Sequence, residues 1–273
     1  MEFGFLFWLF LGGIIVASLQ DLKRREVDNW LNLFLLVSSL IFVFCGAILF
    51  GNSDVVFHVG FLLVVMFVIM NLLYYGRVFA GGDAKLLIAM TAFFMGISFY
   101  ESMINIGIFL FLLMFSGSIY GLGYSGVLWF RNRKKVNVEM CRIAKVLRVN
   151  CLICVSVVLM ALGFVNFLFL LIGILIFIFP LLYVFAKGLE NVSMIRKVSG
   201  AELREGDWLV KAVKVGKNVI KADWDGLSLE DIKLLNKKRV VLIKDGLPFV
   251  PAFLIAFLGY VFLRNWVFTI FMG

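Results

Sequence analysis

The sequence predicts an all-α polytopic membrane protein of about seven to eight transmembrane helices, with a small α+β cytoplasmic domain inserted before the last helix. Three observations predict it. Of the 273 residues, 63% are hydrophobic, too many for a soluble globular domain. Only 16% are charged, and they cluster between long uncharged runs. One stretch near the C-terminus, Lys187–Leu247, breaks the pattern with many Lys and Arg residues and short alternating segments.

Backbone amides cannot stay unpaired in lipid, so each apolar run is expected to be helical. The runs are Phe3–Leu19, Trp30–Phe50, Val55–Tyr75, Ala84–Phe99, Met103–Phe130, a longer stretch from Val149 to Ala186, and Val250–Phe271. The first carries Glu2 before it and its positive charges after it, the reverse of a secretory signal, and is expected to be a retained helix. The stretch from Val149 is nearly twice a typical span. Gly163 and Asn166 near its middle suit a turn, which predicts a hairpin and eight crossings. A single long tilted helix would make seven.

Lys23, Arg24 and Arg25 follow the first run, Arg77 and Lys85 flank the third and fourth, and Arg131 to Arg148 follow the fifth. The loops at Gly51–Asp54 and Ile97–Ser102 hold no Lys or Arg. The positive-inside rule then puts the loops around residues 20–29, 76–83 and 131–148 in the cytoplasm. The net charge of +9 reads as basic loops on an anionic leaflet, so no nucleic-acid partner is expected. Residues 1–186 form the transmembrane domain, 187–247 a small soluble cytoplasmic domain, and 248–273 the last helix. Within 187–247, Asp207–Val213, Asn218–Lys221 and Arg239–Ile243 are expected strands. Ser228-Leu-Glu-Asp caps a helix through about Asn236, with Leu229, Ile232 and Leu235 on one face.

Carboxylates at the membrane boundary are functional candidates, and two stand out. Asp21 ends the first run in Ser18-Leu-Gln-Asp21. Asp83 follows two glycines in Phe79-Ala-Gly-Gly-Asp83, at or near the N-cap of the fourth helix. Each alone reads equally as a solvated loop charge or a cap. Together they fall on one side of the membrane, at similar depth, on different helices. Two facing carboxylates are the machinery of an aspartic protease: one ionised, one protonated, sharing a proton. The macrodipole predicts that Asp83, at a helix start, holds the charge and Asp21, at a helix end, holds the proton.

Asp21-Leu-Lys-Arg-Arg-Glu-Val-Asp-Asn29 resembles the first-aspartate motif of type IV prepilin peptidases. Ala80-Gly-Gly-Asp-Ala-Lys-Leu-Leu87 resembles their G-x-G-D motif, with Ala80 in place of the first glycine. The segment Glu202-Leu-Arg-Glu-Gly-Asp-Trp208 and then Gly246-Leu-Pro-Phe-Val-Pro-Ala-Phe253 looks like the extra domain of archaeal members. This resemblance to the archaeal preflagellin/prepilin peptidases implies Asp21 and Asp83 as catalytic aspartates, with Gly81, Gly82 and Lys85 as supporting motif residues. It implies a membrane endopeptidase that trims class III signal peptides from archaellin and pilin precursors at the cytoplasmic face. No cofactor is expected. The four-cysteine zinc segment of many bacterial members is missing from the sequence, so no methyltransferase activity is expected either.

Glu26 and Asp28 are candidates to attract the precursor's basic segment, though pairing with Lys23, Arg24 and Arg25 is the plainer role for both. Trp8, Trp30, Trp129 and Trp266 suit interfacial anchors, Arg264 is expected to snorkel, and Asp223 with Asp225 lacks further metal ligands. His58 is expected to be a packed residue. Pro248 and Pro251 are expected to mark the start of the last helix. Pro251-Ala252 shares two residues with the Pro-Ala-Leu motif of presenilin-like proteases, but Phe253 follows and the Tyr-Asp motif is missing, which reads as coincidence. A non-catalytic assembly factor of a pilus system is one competing class, and an ion transporter or channel using the two acids is the other. It would favour acids at the midplane and inverted repeats, and no repeat is visible.

Overall fold

The computed structural model describes residues 4–215, 218–223, 226–236, 238 and 240–272, the last without the side chains of 264–272. Asp225 and Arg239, and the side chains of Arg264 and Trp266, lie outside the described residues. The chain forms two compact units. One takes in the chain to Leu122 together with the segment from Leu247 onward, and the other runs Gly123–Gly246.

The first unit is a helix bundle. Helix α1 spans Gly4–Arg24, α2 spans Asn29–Leu49, and α3 spans Asp54–Tyr75. A short α4, Gly81–Ala89, runs into a 3-10 turn at Thr91–Phe94. Helix α5 begins at Phe99 and α9 is Val250–Met272. On α1 the buried residues are Leu6, Phe10, Gly13, Ile14, Ala17, Ser18 and Asp21, a stripe at three- and four-residue spacing. Trp8, Ile15, Leu19 and Leu22 on the other face are exposed, as suits a surface meeting lipid. The same periodicity that faces Phe10 and Ile14 inward therefore faces Asp21 inward at the helix end.

Lipid is as apolar as leucine, so close packing rather than the hydrophobic effect holds such a bundle together. A Cβ on Gly13 would collide with the Leu35 side chain, so α1 and α2 meet at full contact there. The expected helix Ala84–Phe99 differs from the observed course. It turns 3-10 after Met90 and becomes extended at Met95. The Thr91 hydroxyl donates to the Ile88 carbonyl at 2.6 Å, and the tighter turn sends two adjacent rings to different helices. Phe93 lies 4.9 Å from Phe257 of α9, and Phe94 lies 4.9 Å from Phe109 of α5. At this end of the bundle His58 is packed, as expected, with Nε2 2.9 Å from the Ser102 hydroxyl and its ring 4.4 Å from Phe99.

In the second unit, residues expected as a loop are helical. Helix α5 continues to Val146 through Lys134 and Lys135, with a kink at Asn132. Good helix formers carry it, and the Trp129 indole N–H donates to the Asn137 side chain at 2.7 Å across the kink. The expected hairpin is present as α6, Val149–Leu162, and α7, Phe167–Ser193, with the Asn166 side chain capping the Leu168 N–H. Gly173 lets the two helices touch at Ser156 and Met160.

The strands follow. β1 (Ile195–Val198), unforeseen because it continues a helical run, pairs antiparallel with β5 (Val241–Lys244), which also pairs with β2 (Trp208–Leu209). β3 (Val213–Val215) and β4 (Asn218–Ile220) make a separate hairpin. Helix α8, Leu229–Leu235, carries the expected Ser228 cap, with Asp231 completing a capping box. Its Leu235 is fully buried and Ile232 packs on the core, but Leu229 is exposed rather than sharing their face.

Among the described residues, five helices are long and apolar enough to cross a membrane: α1, α2, α3, α5 and α7. Val149–Leu162 and Val250–Leu263 are shorter apolar helices. The chain is a multi-pass membrane protein, mostly helical, with a small sheet region near its C-terminus.

Candidate functional site

Asp21 and Asp83 lie at one end of the first unit, both more than nine-tenths buried, and within electrostatic reach of each other. Several contacts define that end. A Cβ on Gly82 would touch Val27 at 3.8 Å, and one on Gly81 would touch the Tyr74 ring at 3.7 Å. The Lys85 ammonium donates to the Asn29 side-chain oxygen at 2.8 Å. The starts of α2 and α4 and the ends of α1 and α3 thus converge around the two carboxylates.

The third partner is the start of α9. The Val250 N–H donates to Asp21 Oδ2 at 2.9 Å, with the backbone of Phe249 beside it. The first N–H groups of a helix have no partner within it, so a carboxylate there satisfies them and meets the positive end of the dipole. Around this contact Phe249 packs on Phe79 at 5.5 Å, and the Ser116 hydroxyl reaches the Ala252 carbonyl at 3.1 Å. These residues were missed in the sequence. Pro248 and Pro251 marked a helix start there, but nothing in the pattern joined positions 229 residues apart.

Asp83 stands at the third position of α4, not at its N-cap. Ala80 is the N-cap residue, with φ −74°, so alanine fits without strain. Gly81 and Gly82 are both outside the left-handed region, and a Cβ on either would make only ordinary contacts. The turn itself therefore does not require glycine. What the glycines leave is open approach to the backbone beside Asp83.

Asp28 is occupied. Its Oδ2 accepts from Arg24 at 2.6 Å, Gln20 at 3.1 Å and Trp30 at 3.1 Å. The Arg24 guanidinium holds this carboxyl below the usual carboxylate range. Asp28 is thus paired with Arg24, and Glu26 is exposed on the same loop.

Residues 8–124 match the type IV leader peptidase family, a span that holds Asp21, Asn29, Asp83 and Lys85 and ends at the start of the second unit. No curated protein and no solved structure matches the chain.

Proposed function

The chain being prepilin peptidase-like over residues 8–124, we propose that it is a membrane aspartic endopeptidase that removes class III signal peptides from archaellin and pilin precursors. Asp21 and Asp83 form its catalytic pair at the cytoplasmic face. The observation that carries this reading is the juxtaposition of two buried carboxylates from α1 and α4 within the matched span. Lys23, Arg24, Arg25 and Arg77 at the ends of α1 and α3 support the cytoplasmic orientation. The hairpin of α6 and α7 supports eight crossings.

In the mechanism one carboxylate, ionised, takes a proton from a water. The hydroxide so formed attacks the scissile carbonyl, which the protonated partner polarises. The tetrahedral intermediate collapses as the leaving amine takes a proton from the pair, and the carboxylates again share one proton. Asp21 ends α1, which disfavours its charge, but the Val250 N–H of α9 touches it directly, at 2.9 Å. Direct hydrogen bonds outweigh the more diffuse dipole of its own helix. We therefore assign the charge to Asp21 and the shared proton to Asp83, the reverse of the sequence expectation. The precursor's apolar helix lies in lipid, and its basic segment stays near the exposed Glu26.

The test is incubation of membranes holding the full chain with a pilin-like precursor, read by mass spectrometry. The parent is expected to cut just before the hydrophobic helix, and the Asp21→Asn/Asp83→Asn double variant not to cut. Equal cleavage by that variant would end the reading. The Lys85–Asn29 contact ties α4 to α2 two residues from Asp83. Lys85→Met and Asn29→Leu are each expected to slow cleavage roughly tenfold, and the pair together no further, since one contact is lost once. Multiplying effects in the double variant would show that the contact is not what matters.

A further inference from the structure

Resting on the peptidase reading, we propose that Asn32 is a substrate-positioning residue that hydrogen-bonds the precursor's main chain about two residues past the scissile bond. Asn32 lies on α2 with 5% of its surface exposed, yet neither Oδ1 nor Nδ2 has a hydrogen-bond partner among the described residues. Single atoms are left unpaired elsewhere in the bundle, at Ser18 Oγ and Asn105 Oδ1, but Asn32 is the one buried side-chain amide among the described residues with both ends unpaired. Buried Ser39 and Ser116 return their hydroxyls to helix carbonyls at 2.9 and 3.2 Å, and the buried Asn105 amide donates to the Phe94 carbonyl at 3.1 Å. A buried amide that bonds nothing in the protein is set up to bond something that arrives.

Its depth follows from the helix contacts. Gly13 of α1 seats the Leu35 side chain of the antiparallel α2. Counting three residues back along α2 and three forward along α1 brings Asn32 level with Val16. Gly82 of α4 abuts Val27, and α4 runs beside α2 in the same direction, which brings Asn32 level with Leu87. By both routes Asn32 stands about one turn, roughly 6–8 Å, deeper than the two aspartates. Ser18, whose buried hydroxyl also has no partner among the described residues, is one turn from Asp21 on the facing helix.

A peptide bond inside a helix is shielded, so the precursor must be extended where the aspartates cut it. Extended backbone at membrane depth strands N–H and C=O groups that lipid cannot satisfy. The cut lies just before the hydrophobic helix, so the chain past it enters the bundle's apolar depth. At about 3.3 Å per residue, one helical turn corresponds to about two extended residues. There the Asn32 side chain offers one acceptor and one donor group, the same pair a neighbouring β-strand would offer.

The test uses full-length protein in lipid and synthetic precursors with an ester replacing the amide at the first, second or third residue past the cut. Asn32→Leu is expected to lower kcat/KM on the all-amide precursor by roughly 10–100-fold, the loss of one or two buried hydrogen bonds. With the parent, one of the three esters is expected to lose a similar factor. With Asn32→Leu that same ester is expected to lose nothing more. The variant is expected to unfold at the parent's temperature or above, because it removes an unpaired buried amide. Multiplying effects at all three positions overturn the proposal, as does a lowered unfolding temperature with equal losses on every substrate. Cleavage by the parent with Asn32→Leu unimpaired sinks Asn32 alone. Failure of the parent to cut any precursor sinks the peptidase reading and this proposal together.

Discussion

Asp21→Asn and Asp83→Asn are each expected to lower precursor cleavage by about 10³-fold or more while the protein stays folded. General acid–base groups contribute roughly 10²–10⁴-fold, and two groups sharing a proton fail as a unit, so either loss costs nearly the whole effect. The fold readout separates chemistry from support. In Asp21→Asn the amide oxygen still accepts the Val250 N–H, so α9 keeps its seat. In Asp21→Ala that N–H is buried with nothing to bond, at a cost of about 1–3 kcal/mol. Asp21→Ala is therefore expected to melt below Asp21→Asn in detergent, with both inactive. Asp83→Asn relieves the burial of a carboxyl beside another and is expected to melt at or above the parent. Equal melting of the two Asp21 variants would show that the α9 contact does not bear on stability.

The sequence made one face of this site legible and left the other hidden, for a physical reason. Asp21 could be found because a carboxylate closing an apolar helical stripe is rare, and Asp83 because two glycines and a Lys surround it in a spaced motif. Both signals are local. The α9 contact is long-range, and backbone N–H groups carry no residue identity, so Phe249 and Val250 look like any apolar pair. Pro251-Ala252 was read as coincidence, yet it directly follows the N–H that holds Asp21. A dipole argument confined to each acid's own helix likewise leaves out the helix that arrives from the far end of the chain, whose Val250 N–H donates to Asp21. Asn32 was unseen for a different reason. A polar residue in an apolar run is common, and only the full set of contacts shows that nothing among the described residues bonds it. The helical course of 131–146 was missed because charge was read as loop, whereas Lys, Arg and Glu extend a helix into water readily.

Gly117→Val is the second change expected to have a large effect, although it touches neither aspartate. A Cβ at 117 on α5 would stand 2.6 Å from the Phe249 ring. That ring has little room to retreat, with Phe79 at 5.5 Å and Phe253 at 6.0 Å. Displacing Phe249 carries the neighbouring Val250 N–H away from Asp21. A shift of about 1 Å at such a point costs on the order of 10²-fold in rate, so cleavage is expected to fall by about that factor, mainly in kcat. Gly121→Val, one turn along the same helix with nothing within 4 Å of its Cβ, is the control and is expected to cleave as the parent does. Trimming the obstructing ring with Phe249→Leu in the Gly117→Val background is expected to restore part of the rate, because the backbone can then return to Asp21. Had Gly117 mattered only for helix flexibility or lipid packing, the two glycine variants would behave alike and the trimmed ring would restore nothing. The outcome therefore reports whether the start of the last helix holds the charge on Asp21 or only lies beside it.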